Sequence, residues 1–160
     1  MEELVTNIDK KVIAISGGFD PIHVGHVRMI QSASELGEVV VILNTDSWLL
    51  RKKGYTFMKW KERAEILNAI RGVSVVVPAK DYDGSVCESL IDLKDVLGLY
   101  YFGNGGDRKK VNTPEIDVCN QLGIQLVWNL GGEKVQSSSD LVRKFKKVQN
   151  KENENGKGRS

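Results

Sequence analysis

Residues 11–26 read KVIAISGGFDPIHVGH and indicate how the chain begins to fold. The apolar run at residues 11–16 is typical of a buried parallel strand, and Gly17 and Gly18 end that run at a tight turn. Apolar residues then recur at helical spacing over residues 24–36. The chain therefore opens with the unit strand, glycine turn, helix.

The same alternation continues along the chain. Four further apolar runs predict strands at residues 38–46, 73–79, 98–103 and 124–130. Predicted helices lie at residues 59–71, 85–97, 114–123 and from residue 137 onward. Repeated βα units predict an α/β fold, a doubly wound parallel sheet of about five strands with helices on both faces. In such folds the ligand crevice lies beyond the carboxyl ends of the strands.

The composition indicates one domain and no strong electrostatic preference. The chain has 160 residues, 41% of them hydrophobic, and a net charge of +2, which makes no strong case for nucleic-acid binding. We place the domain at residues 1–149. The stretch NKENENGKGRS at residues 150–160 has no apolar residue and mixes acids with bases, so we predict a disordered C-terminal tail there.

Targeting and cysteine patterns favour a cytosolic protein. The first eleven residues are charged and lack an apolar h-region, and no apolar run approaches the ~20 residues that a membrane helix needs. Cys87 and Cys119 lie far apart without a CxxC or Cys/His grouping. We interpret them as two partly buried thiols, and we expect a cytoplasmic location without membrane binding.

The chain has only two histidines, His23 and His26, and both lie at or just before the first turn of the first helix. Residues spaced i, i+3 there project from one face and would point at the same ligand. Gly17 and Gly18 let the backbone approach an anion closely, beside the N–H groups of a helix N-terminus. This pattern favours a phosphate site. Helix capping or solvated imidazoles remain as alternatives, and metal ligation ranks below phosphate binding because no third ligand is nearby.

The stretch GGFDPIHVGH resembles the GxFDxxHxGH signature of the cytidylyltransferase-like nucleotidyltransferases. Further motifs fall where that family places its own landmarks, and together they cover roughly residues 11–145. These motifs are NTD (44–46), RKKG (51–54), KERAEIL (61–67), FGNGGD (102–107) and QSSSDLV (136–142). The resemblance is nearest to the heptose 1-phosphate adenylyltransferase and glycerol 3-phosphate cytidylyltransferase types. It implies a Rossmann-like fold and a homodimer.

The resemblance also implies a reaction. The phosphate of a small phosphorylated substrate attacks the α-phosphorus of a nucleoside triphosphate, and pyrophosphate leaves, with Mg²⁺ as cofactor. His23 and His26 would donate hydrogen bonds to the triphosphate. Lys53, in preference to Lys52, would reach the phosphates from a polar loop after the second strand. Arg63 would bind the acceptor phosphate or the β/γ-phosphates. For the lysines the alternative is a solvated loop, and for Arg63 it is an ion pair on the helix surface.

A wider set of residues is expected to contact the nucleotide. It comprises Gly17, Gly18, Phe19, Asp20, Gly25, Lys52, Gly105, Gly106, Asp107, Ser137, Ser138 and Ser139. Asp107 is a candidate for a ribose or metal contact, and no metal ligand is assigned. One serine of the three is expected to be an ordinary N-cap. For Asp20, we favour capping of the first helix over orientation of the turn.

One departure from the family leaves the nucleotide open. The cytidylyltransferases carry an RTxGxST run before the last helix, whereas this chain has GGEKVQSSSDLV without an arginine. Both ATP and CTP therefore remain possible donors. Two alternatives to a sugar or polyol nucleotidyltransferase also remain, a catalytically silent nucleotide sensor and an adenylyltransferase of a coenzyme precursor.

Overall fold

The computed structural model describes residues 10–106, 113–133 and 135–157. Within these ranges strands and helices alternate, except that two helices follow the second strand. The strands are β1 (Val12–Gly17), β2 (Glu38–Leu43), β3 (Val73–Pro78), β4 (Tyr101–Gly105) and β5 (Gln125–Leu130). The helices are α1 (Val24–Leu36), α2 (Asp46–Lys53), α3 (Trp60–Asn68), α4 (Cys87–Leu97), α5 (Glu115–Leu122) and α6 (Ser138–Lys157).

The five strands form one parallel sheet in the order β3-β2-β1-β4-β5. The order reverses between β1 and β4, because the chain first builds outward through β2 and β3 and then returns to the other side of β1. Two neighbouring strands whose connections leave in opposite directions open a crevice at their carboxyl ends. The predicted doubly wound parallel sheet is confirmed, and its switch point lies where β1 runs into the glycine turn.

Apolar side chains of the central strands alternate between two cores, one on each face of the sheet. Ile13 and Ile15 of β1 pack with α1 and α3, whereas Ala14 packs with α4 and α5. Burial on both faces explains why β1 and β2 are continuous apolar runs and do not alternate with polar residues. The prediction of helices on both faces is therefore confirmed.

The segment after β2 differs from the prediction. We expected a strand to residue 46 and then a polar loop, but β2 ends at Leu43 and α2 occupies Asp46–Lys53. Thr45 caps α2, because its Oγ1 accepts the Trp48 N–H at 3.2 Å. Asp46 lies in the first turn of α2, and Arg51, Lys52 and Lys53 lie in the last turn. Both positions place the charge where it interacts favourably with the helix dipole.

The last helix is also longer than expected. We predicted a disordered tail from residue 150, whereas α6 continues to Lys157. Residues 150–157 read NKENENGK, in which the lysines and glutamates are good helix formers and the three asparagines and Gly156 are poor ones. Lys151 and Glu154 stand at the i, i+3 spacing at which side chains on a helix are neighbours. A lack of apolar residues therefore did not end the helix. Residues 158–160 lie outside the described ranges.

Candidate active site

The turn between β1 and α1 is held in place by a buried carboxylate. Asp20 is fully buried, and its two oxygens accept the backbone N–H groups of Phe57 and Met58, each at 2.6 Å. We predicted that Asp20 caps α1, and this prediction is wrong because both carboxylate oxygens accept bonds from Phe57 and Met58. The predicted nucleotide contact is also wrong, because Asp20 is fully buried. It fastens the glycine turn to the segment that leads into α3, and it fixes the positions of Gly17, Gly18 and the residues that follow.

His23 and His26 cap the first helix with their own side chains. His23 is the N-cap of α1, and its Nδ1 accepts the Gly25 N–H at 3.1 Å. The Nδ1 of His26 accepts the His23 N–H at 3.2 Å, and the two rings stack with 3.8 Å between centroids. With Nδ1 accepting, a neutral imidazole carries its proton on Nε2. The capping and phosphate interpretations are therefore compatible, because each ring uses a different nitrogen for each role.

The glycine between these histidines is required by the cap. A Cβ atom on Gly25 would lie 2.9 Å from Cε1 of His23, because the imidazole folds back over the backbone at this point. A glycine after β4 meets a different demand, since a Cβ atom on Gly106 would lie 2.5 Å from the carbonyl oxygen of Gly132. Gly106 thus packs the end of β4 against the turn after β5.

Two neighbouring cavities that share lining residues lie at the switch point of the sheet. The first has a volume of about 230 Å³ and lies between the start of α1, the turn after β5 and the start of α6. The second has a volume of about 470 Å³ and lies between the glycine turn, the end of β4 and helix α2. Four residues line both cavities, namely His26, Met29, Lys53 and Gly105. We refer to the two cavities together as the cleft, and these four residues form the wall that the cavities share.

Most residues expected at the site line this cleft. The first cavity also contains His23, Gly25, Gly106, Ser137, Ser138 and Ser139. The second also contains Gly17, Gly18, Phe19 and Lys52. Asp107 lies outside the described residues. Asn44 and Asn104 fall within the NTD and FGNGGD motifs, but the sequence analysis assigned neither of them to the site, nor Glu115 or Trp48. All four line the second cavity.

The three serines before and within the first turn of α6 have separate roles. Ser137 acts as the N-cap, because its Oγ accepts the Asp140 N–H at 3.3 Å. The Oγ of Ser138 donates to the carbonyl oxygen of Pro21 at 2.7 Å and ties α6 to the turn after β1. Ser139 lines the first cavity. Of the three, Ser139 has the side chain that best fits the predicted nucleotide contact.

Lys53 and Lys52 face different surroundings at the end of α2. Lys53 lines the wall that the two cavities share, and burial lowers the pKa of its ammonium group. The Asp20 carboxylate opposes this pKa shift, while the charges of Lys52 and Arg63 add to it. Lys52 instead places its Nζ 4.6 Å from the ring centroid of Trp48. Of the two lysines, Lys53 is therefore the better placed to meet phosphates in both cavities.

Arg63 is a structural residue, which corrects our prediction that it contacts phosphate. It is 0% exposed, and its guanidinium donates to the carbonyl oxygens of Met58, Gly18 and Asn44 at 2.7–2.9 Å. It also forms a 2.8 Å ion pair with Asp46. These four bonds occupy most of its five donors. Arg63 thus links the glycine turn to the end of β2, and it does not line the cleft.

The chain belongs to the cytidylyltransferase-like family, whose model matches residues 14–158. The bifunctional protein HldE of Citrifermentans bemidjiense is 44% identical over 141 residues, which cover 85% of this chain but 27% of that protein. Glycerol-3-phosphate cytidylyltransferase of Bacillus subtilis (strain 168) is 37% identical over 75 residues, covering 46% of this chain and 57% of that protein. The chain thus spans less than a third of the length of HldE.

A solved structure has the same fold. The lipopolysaccharide core biosynthesis protein from Thermoplasma volcanium GSS1 superposes with a TM-score of 0.63 over 78% of this chain and 99% of that one, at 20% identity. In the ranges that the structure describes, no helix has the length and apolar character needed to span a bilayer. The same ranges contain no group of three or more His, Cys, Asp or Glu side chains that could hold a metal ion.

Proposed function

We propose that the chain is a nucleotidyltransferase, which transfers AMP or CMP from a nucleoside triphosphate to the phosphate of a phosphorylated sugar or polyol. The observation that carries this proposal is the junction of the two cavities at His26 and Lys53. A reaction between two phosphorylated substrates needs two neighbouring binding sites, arranged so that the phosphates of both substrates meet beside hydrogen-bond donors and positive charges. This cleft provides that arrangement in a member of the cytidylyltransferase-like family.

The nucleoside triphosphate fits the first cavity best. That cavity is bounded by the start of α6, where free backbone N–H groups and the helix dipole favour an anion. His23 and His26 line the same cavity. The acceptor would then occupy the second cavity, with its phosphate at the wall beside Lys53 and the rest of the molecule toward the end of β4.

The chemistry asks little of the protein beyond placement and charge. The acceptor phosphate is largely a dianion at neutral pH and needs no general base, because its second pKa is about 6. One of its oxygens forms a bond to the α-phosphorus of the triphosphate as the bond from that phosphorus to the bridging oxygen breaks. Pyrophosphate leaves with the electron pair. Nε2–H donors from His23 and His26, and the Lys53 cation, would stabilise the charge that grows on these oxygens.

Two companion proposals come from the family resemblance. We propose that Mg²⁺ accompanies the triphosphate, since Mg²⁺ in nucleotide sites takes most of its ligands from phosphates and water. The described residues do not form a protein cage for it, so we assign no protein ligand and no step to the metal. We also propose a homodimer, which sedimentation velocity would test directly.

Pyrophosphate release tests the main proposal. The protein is incubated with Mg²⁺ and either ATP or CTP, and separate wells contain glycerol 3-phosphate, ribitol 5-phosphate and hexose 1-phosphates. We expect release with one nucleotide and one group of acceptors, and a large loss of release in Lys53→Met. Lys61→Met, an exposed lysine on α3, is the matched control and should retain wild-type rates. Nucleotide binding without release from any pair would favour the sensor instead.

A further inference from the structure

The second cavity contains a buried side-chain donor without a partner. Asn104, in β4, is 3% exposed, and its Nδ2 has no hydrogen-bond partner among the residues that the structure describes. Buried polar groups are nearly always paired, because an unmade hydrogen bond leaves the cost of removing the group from water uncompensated. An unpaired amide that lines a cavity is therefore a candidate contact for whatever fills that cavity.

An irregularity in the strand accompanies this side chain. The pairing of β4 with β5 shifts register between Gly103 and Gly105, so Asn104 stands at a break in the ladder at the carboxyl end of the strand. Bulges of this kind are common beside active sites, where they redirect one side chain. The glycines on both sides leave Asn104 as the only side chain that this end of β4 contributes to the second cavity.

Among the described residues that line the second cavity, the polar side chains that share it with Asn104 and do not lie on α1 or α2 carry no positive charge. The buried Glu115 also lines it, and Oε1 of Glu115 accepts the Val86 N–H at 3.2 Å. Asn44 adds a third polar side chain to the lining. The lysines lie at other parts of the wall, on α2. The described lining thus combines two lysines on α2, which suit a phosphate, with an amide donor on β4 and a carboxylate on α5.

This distribution of charge restricts the ligand. The Glu115 carboxylate lines the same cavity as Asn104 and would disfavour a second phosphate or a carboxylate beside it. Hydroxyl groups fit both partners, since a hydroxyl accepts from Nδ2 of Asn104 and can donate to a carboxylate. A volume of about 470 Å³ lies within the range of small-molecule sites and exceeds what a phosphate alone would fill.

We propose that Asn104 is a specificity-determining residue, which donates its Nδ2–H to a hydroxyl of the acceptor in the second cavity. The acceptor is then a monophosphate ester whose far end carries uncharged hydroxyls. This inference rests on the proposed nucleotidyltransferase function. It adds a residue that selects the acceptor without a part in binding the triphosphate, because Asn104 lines only the cavity assigned to the acceptor.

The test compares acceptors with and without single hydroxyls. Pyrophosphate release is measured for the wild type, Asn104→Ala and the near-isosteric Asn104→Asp, with the best acceptor of the panel and its deoxy analogues. We expect kcat/KM for the intact acceptor to fall by about 10- to 100-fold in both variants, mainly through KM, because one hydrogen bond to the acceptor is lost. The KM for the nucleotide should stay within about twofold of wild type. Asn68→Ala, an exposed residue on α3, is the matched control.

The decisive readout is whether removing the acceptor hydroxyl and removing the Asn104 amide have additive effects on kcat/KM. In the wild type, one deoxy analogue should lose about as much kcat/KM as the variants lose, and in Asn104→Ala the same analogue should lose nothing more. Variants that keep wild-type kcat/KM, or that respond to every deoxy analogue as the wild type does, overturn the role of Asn104 alone. A wild type that releases no pyrophosphate with any acceptor overturns the proposed function, and this inference with it.

Discussion

Replacing His23 separates two roles that one imidazole combines. Its Nδ1 accepts the Gly25 N–H at 3.1 Å and caps α1, while its Nε2–H is the proposed phosphate donor. Asn can place a side-chain oxygen where Nδ1 lies, and Asn is among the preferred N-cap residues. His23→Asn should therefore keep the cap and remove the donor, whereas His23→Ala removes both.

The two losses have different sizes and different readouts. Loss of an N-cap costs about 1 kcal/mol of unfolding free energy, and this lowers Tm by roughly 2–4 °C in a chain of this length. Loss of one donor to the developing charge lowers kcat by about 100- to 1000-fold. We expect His23→Asn to show the lower kcat at wild-type Tm. His23→Ala should show the same fall in kcat and the lower Tm as well.

The assay combines pyrophosphate release at saturating substrates with thermal unfolding by calorimetry. His26→Gln is the matched companion, because Gln at the third helical position can reach back to the N-cap N–H as the His26 Nδ1 does at 3.2 Å. The reasoning is refuted if His23→Asn keeps kcat within tenfold of wild type. It is also refuted if the Asn and Ala variants lose the same Tm, since the imidazole would then not act as a cap.

Three further predictions concern buried groups. Arg63→Ala should lower the unfolding free energy by about 3–5 kcal/mol, because it leaves the Asp46 carboxylate and three carbonyl oxygens without their donor; a wild-type Tm in calorimetry would contradict this. Because its pKa is lowered, Lys53 should lose its positive charge, and nucleotide affinity should fall, at an alkaline pH below the ordinary lysine value of 10.5. The contribution of Lys53 to the free energy of unfolding should rise with pH between its pKa in the folded protein and 10.5, since the unfolded chain binds more protons there. Isothermal titration calorimetry at a series of pH values should show this fall in affinity at a higher pH in Lys53→Arg than in the wild type. A fall at the same pH in both proteins would assign it to another group. Burial raises the pKa of Cys119 to about 12, so a thiol reagent should label the partly exposed Cys87 first in the native protein; in denaturant the two rates should converge, and equal native rates would contradict the burial of Cys119.

The fold was predictable because its signals are local and repeated. Apolar runs and helical spacing follow one another closely enough to give all five strands, although the boundaries moved by one to three residues. The helix α2 was missed because its eight residues include only three apolar ones, and the basic run looked like a loop. The capping signal at Thr45 was present in the sequence, and it would have predicted this helix.

The site residues were predictable only where they lie close together in one short stretch of sequence. His23 and His26 were found because their spacing and flanking glycines belong to a single short stretch. Arg63 was misjudged because its burial depends on the Gly18 and Asn44 carbonyl oxygens, which lie 45 and 19 residues away in the chain. Asn104 lies within the FGNGGD motif, but the motif alone did not indicate a role for its side chain, because the irregular pairing with β5 sets its surroundings.

The bond from Ser138 to Pro21 joins positions 117 residues apart and has a consequence for protein synthesis. The sheet from β1 to β4 can assemble on residues made early, but one wall of the first cavity arrives with α6. A ribosome-bound chain that stops before residue 138 should therefore present the glycine turn without the surface that faces it. The nascent protein should remain unable to hold a triphosphate in this cleft until that helix has been translated and has docked on the turn.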